Sequence, residues 1–167
     1  MLTLKNIEDI IQIEKSKGGI DMAQKTSDDY ISNRAWLRDM VGGKRMILRG
    51  VSALEYLQLF VGYVSESTIE VYSEKLISAS GFKCCVVPSF QEIDYVCEGN
   101  VLCCTINQTV NDMIRDFDNI DEVALVESLS RYYYAHDESF DDLIIKPENM
   151  RQFNQIREWA IRYYEAG

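Results

Sequence analysis

At Thr105 the pattern of the chain changes from strand to helix within a single residue. Val101–Thr105 is short, apolar and suited to a strand, whereas TINQTVNDMIR (Thr105–Arg115) places Val110, Met113 and Ile114 on one helical face. Thr105 and Gln108 have the spacing of a capping box, which starts a helix where the strand stops. Ile93–Cys97 precedes, separated from Val101–Thr105 by Glu98-Gly99-Asn100, two of which tolerate positive φ, so a hairpin is expected. A hairpin that feeds directly into a helix requires helices packed against a sheet. The expected class is α+β, with a mixed or mostly antiparallel sheet covered by C-terminal helices and preceded by a small N-terminal helical segment.

The remaining elements fit that frame. Helices are expected at Lys5–Lys17, ending at Gly18-Gly19, and from near Ser27 to Gly42-Gly43, with a short turn at Asp21–Lys25 between them. Met46–Leu48 reads as a strand. Ser52 and Glu55 predict a second capping box, opening a helix from Ala53 to Val61. Thr68–Tyr72 alternates as a strand does, and Phe82–Val87 is apolar enough for a strand covered on both faces. Asn119 and Glu122 predict a third capping box, before Val123, Val126, Leu129 and Tyr133. Ser139 opens a short helix through Leu143 and Ile144, and Pro147 a last one carrying Met150, Phe153, Ile156, Ala160 and Tyr163.

Bulk properties exclude several classes. With 167 residues, 47% apolar and 26% charged, the chain can bury roughly 70% of its unfolded surface and needs no staple. Five cysteines, Cys84, Cys85, Cys97, Cys103 and Cys104, form two adjacent pairs and a remainder, without zinc-knuckle spacing. Neighbours on a strand point to opposite faces, so they read as small strand hydrophobes. No apolar run approaches the ~20 residues that span a bilayer, and a cytoplasmic location is expected. Residues 1–50 carry nine Lys/Arg against seven Asp/Glu, and residues 51–167 eight against twenty. The larger part repels phosphate backbones, so any nucleic-acid contact falls to the first fifty residues.

Groupings that could carry chemistry are sparse. His136, the one histidine, sits near a helix end beside Asp137, where the dipole accounts for it. Gly42-Gly43-Lys44-Arg45 lacks phosphate-loop spacing, and Asp28-Asp29 and Asp141-Asp142 suit helix starts better than a metal. Neither an enzyme nor a bound cofactor or metal is expected. Arg34, Arg38, Lys44, Arg45 and Arg49 form a basic stretch that could meet DNA or an acidic partner, or simply offset the acidic remainder. Tyr132, Tyr133 and Tyr134 fan over about 200° of a helix, so one or two must reach a rim or an interface.

Three further segments stand in a suggestive order. Ser52-Ala53-Leu54 follows a short strand; Ile69-Glu70-Val71 is a strand of the I-x-V kind; Thr105, Thr109 and Asp112 form a Thr-x-x-x-Thr-x-x-Asp segment opening the helical part. In this order they resemble the AbiEi-type antitoxins of bacterial abortive-infection (type IV toxin–antitoxin) systems, from about Arg49 to Ala166. The resemblance implies an antitoxin domain over residues 49–167 that counteracts a nucleotidyltransferase toxin of the AbiEii type. Family members place an operon-repressing winged helix before it. Here residues 1–48 are short, compatible only with a degenerate winged-helix remnant, and the stretch linking wing to Ser-Ala-Leu helix is missing. The alternatives are a DNA-binding regulator using the basic stretch and a homodimer formed through the tyrosine-bearing helices.

Overall fold

The computed structural model describes residues 33–60 and 68–165. The chain divides into two compact units, residues 1–31 and 32–167, and the described elements all belong to the second. The expected helices at Lys5–Lys17 and Asp21–Lys25, and the start of the one near Ser27, lie outside the described residues. Among the described residues there are five α-helices and a five-stranded mixed sheet, so the fold is α+β.

Helix α1, Asn33–Val41, buries Leu37 and Val41, and the chain turns at Gly42-Gly43 into strand β1, Ile47–Leu48. Strand β1 has only two residues, yet both are fully buried, because it is the centre of the sheet. It pairs antiparallel with β2, Ile69–Ser73, and parallel with β5, Val101–Cys104. Outside these lie β3, Phe82–Val86, parallel to β2, and β4, Tyr95–Glu98, antiparallel to β5. The boundary expected at 48/49 therefore falls within this unit: α1 and β1 pack into the same core as the strands after them.

The hairpin forms as its spacing predicts, Glu98 opposite Val101, with Gly99 at a φ of 61° where a tight turn needs positive φ. Strand β3 departs from expectation. It is an edge strand with one neighbour, where Phe82, Cys84 and Cys85 are half-buried and Lys83 and Val86 are exposed. An apolar run signals burial on both faces only when neighbours supply the cover, and here one side of the ladder is open.

Helix α2 is Gly50–Tyr56, α3 Ile106–Arg115, α4 Glu122–Ala135 and α5 Met150–Arg162. Two apolar cores result. One joins Leu37 and Val41 to the sheet through Ile47, Leu48, Val71 and Val101; the other gathers Val110, Leu125, Leu129, Phe153 and Ile156 from α3, α4 and α5. Short α2 belongs to both, with Ala53 and Tyr56 in the first and Leu54 in the second.

Several expected helix starts shift. Helix α4 is capped by Asp121, whose carboxylate accepts from the Ala124 N–H at 3.0 Å, because Asn119 is already closed into a 3-10 turn by its N–H to Asp116 O. No helix follows Ser139. There the side chains of Asn107 and Asn111 accept from the N–H groups of Ile144 and Lys146, which holds that stretch open. Pro147 opens a 3-10 turn, Pro147–Asn149, that leads into α5.

Candidate functional site

The three segments that carry the resemblance meet at one joint between α2, β2 and α3. Its start is the sharp passage from β1 into α2. Gly50 has a φ of 54°, a conformation that favours glycine, and the Glu70 carboxylate lies close against it, so that a side chain there would also push that carboxylate aside. Glu70 lies on β2, its backbone held at both ends: its carbonyl accepts from Arg49 N–H at 3.0 Å, and its own N–H donates to Ser52 Oγ at 2.9 Å. Ser52 therefore does not cap its own helix, as its spacing with Glu55 predicts. The N-cap is Arg49, without a side-chain hydrogen bond, and the serine hydroxyl fastens the neighbouring strand instead.

Two residues further along β2, Tyr72 Oη donates to Asp112 Oδ2 at 2.7 Å. Asp112, 1% exposed, accepts from Gln108 Nε2 at 3.0 Å and lies 3.3 Å from Arg115. Burial and the bond to this carboxylate push the Tyr72 hydroxyl up to about 12, so it remains a donor throughout the neutral range. The Arg49 guanidinium stacks 4.6 Å from the Tyr72 ring and reaches Asp116 at 3.6 Å. Glu70 pairs across the strands with Lys83 at 3.6 Å, in register. Arg49, Gly50, Glu70, Lys83, Asp112 and Asp116 border a cavity of about 270 Å³. Its charges are paired: Arg49 with Asp116, Lys83 with Glu70, and Asp112 with Arg115. Such a network fixes the relative placement of a helix, a strand and a second helix.

The remaining motif positions are structural parts of the same assembly. Ala53 and Leu54 are fully buried, one in each core. Thr105 caps α3, its Oγ1 accepting from Gln108 N–H at 3.2 Å and donating to Asp94 Oδ2 at 2.8 Å. Gln108 does not complete the box; its side chain serves Asp94 N–H and Asp112. Thr109 Oγ1 donates to Thr105 O at 2.8 Å.

The basic stretch does not form one patch. Arg34 donates to Glu98 and lies over the Tyr56 ring, Arg45 grips Glu74 through two bonds of 2.7 and 3.1 Å, and Arg49 is taken into the joint. Lys44 donates to Met40 O at 2.7 Å, and Arg38 is exposed. The cysteines are free thiols. Two strands, β2 and β1, lie between Cys84 and Cys85 on β3 and Cys103 and Cys104 on β5. Burial pushes Cys103 up to about 12 and Cys104 higher still, which suppresses their thiolates. Among the described residues no group of His, Cys, Asp and Glu has metal-binding geometry. His136 caps α4, its Nδ1 2.8 Å from Tyr132 O and its ring stacked on Tyr132.

Glu55 carries no signal in the sequence beyond the capping spacing. It is 5% exposed, with Asn33 Nδ2 at 3.5 Å, and burial followed by the charge of Glu70 pushes it up to about 7. Tyr72 likewise looks from its alternation like any strand residue, and only the approach of α3 gives it a role. No protein-family model, curated protein or solved structure matches the chain.

Proposed function

We propose that the chain is an antitoxin-like protein that counteracts a nucleotidyltransferase toxin of the AbiEii type in a bacterial toxin–antitoxin or phage-defence system, without catalysing a reaction itself. One observation supports the reading above the others. Ser52 of the Ser-Ala-Leu segment binds the backbone of Glu70 in the I-x-V strand, and Asp112 of the threonine–aspartate segment binds Tyr72 in that same strand. Three short motifs that resemble a family in their order are thus parts of one hydrogen-bonded joint. Matches scattered by chance along a chain have no reason to meet.

The basic residues favour this reading over a DNA-binding regulator, because Arg34, Arg45 and Arg49 are already matched by Glu98, Glu74 and Asp116. Coexpression with a nucleotidyltransferase toxin of the AbiEii type tests the proposal. Growth is expected to recover when the chain is induced; arrest that persists while the protein accumulates in soluble form would refute it.

A further inference from the structure

The C-terminal turns of α4 and α5 meet in a cluster of tyrosines. Tyr133 and Tyr134 stand edge to face at 5.3 Å and 80°, Tyr163 and Tyr164 at 5.2 Å and 79°, and Tyr134 and Tyr164 are 6.4 Å apart. A hydrogen bond from Tyr134 Oη to Ile161 O at 3.2 Å pins the two ends together. Tyr134 is nonetheless 44% exposed and Tyr164 52%. Rings turned across one another present both π-faces and edges to whatever approaches, and the faces are negative.

The charge around these rings is predominantly negative. Two helices of 14 and 13 residues end here, each with the negative pole of its dipole. Asp137 and Glu138 come just after His136 at the end of α4, and Glu165 comes just after the two tyrosines that follow α5. Glu165 and Glu138 lie close enough to Tyr134 to add to the effect of its burial in raising its hydroxyl pKa. The cations on these turns are Arg131, which is held by Glu127 at 2.9 Å, and Arg162. Elsewhere the protein's own guanidinium groups lie over ring faces, as Arg34 does over Tyr56, Arg45 over Phe90 and Arg157 over Phe140. Among the described residues none is stacked on Tyr134 or Tyr164.

We propose that this surface docks an arginine- or lysine-rich segment of a partner protein. Cations would stack on Tyr134 and Tyr164 while Glu138 and Glu165 neutralise their charge. A second copy of the chain is a poor occupant, since it would bring the same carboxylates and helix ends against themselves. Nucleic acid is repelled for the same reason. The inference goes beyond the antitoxin reading and does not depend on it.

A fluorescent peptide of six arginines spaced by glycines, titrated with the full chain at low salt, tests the surface. Tyr134→Leu with Tyr164→Leu is expected to weaken binding about tenfold, and Glu138→Gln with Glu165→Gln several-fold. Asp118→Asn with Glu122→Gln removes the same charge at the other end of α4, about 18 Å away by helical rise, and is expected to leave binding unchanged. Should the double tyrosine variant not fold, Tyr164→Leu alone serves, because that ring lies beyond the last residue of α5. Equal weakening by both acidic pairs would reduce the effect to net charge and overturn the proposal. So would binding indifferent to the tyrosines, or sedimentation showing that the face is closed by a second copy.

Discussion

Asp112 is the residue on which the joint turns. It is buried among Tyr72, Gln108 and Arg115, so removing it strands the Tyr72 hydroxyl and the Gln108 amide, while Arg115 keeps Asp116 at 3.3 Å. Asp112→Ala is expected to cost about 2–4 kcal/mol in urea unfolding. Tyr72→Phe should cost about 1 kcal/mol, and the double variant less than the sum of the two. Strictly additive losses would show that the two side chains do not act together.

Glu55 sets a pH dependence whose sign follows from its raised pKa. An acid that holds its proton more tightly when folded stabilises the fold fully below about 4.5, its unfolded value, and loses that contribution as pH climbs to about 7. Glu55→Gln removes the slope. The variant should match the native protein near pH 4.5 and exceed it at pH 8 by on the order of 1–3 kcal/mol. Urea midpoints at the two pH values decide it, and a native protein that gains on the variant as pH rises would exclude the assignment.

Among the elements, α2 departs furthest from what its residues suggest. Ser52 and Glu55 carry capping-box spacing, but the helix begins two residues before Ser52, because β1 delivers the chain through Gly50 at positive φ. Local spacing cannot register that constraint, which goes with the pairing of β1 against β2, where Arg49 N–H donates to Glu70 O. Ser52→Ala should therefore speed hydrogen exchange at the Glu70 amide and leave the first amides of α2 unaffected; the opposite pattern would restore the capping box. Gly50→Ala should cost about 1–3 kcal/mol. Where short-range chemistry governs, the residues are legible: Thr105 caps α3, Gly99 turns the hairpin, and Pro147 opens the last helical stretch. The threonine and aspartate of the α3 motif were recognisable as a pattern, but not their partners Asp94 and Tyr72. Those pairings join residues 11 and 40 positions apart, and only the sheet order creates them.

Taken whole, the protein spends its arginines on itself. Arg34, Arg45 and Arg49 tie helix, strand and loop to the carboxylates Glu98, Glu74 and Asp116, so a basic stretch in sequence becomes dispersed intramolecular pairing in space. Most of the described Asp and Glu after residue 50 are exposed, and they suit contact with a basic protein better than with nucleic acid. A noncatalytic protector must also be present in proportion to what it opposes. Growth measured while the ratio of this chain to the nucleotidyltransferase toxin is varied in one cell line tests that requirement. Recovery should rise with the amount of the chain and fail when it is scarce. Full recovery at a small fraction of the toxin level would contradict it, since that economy requires turnover.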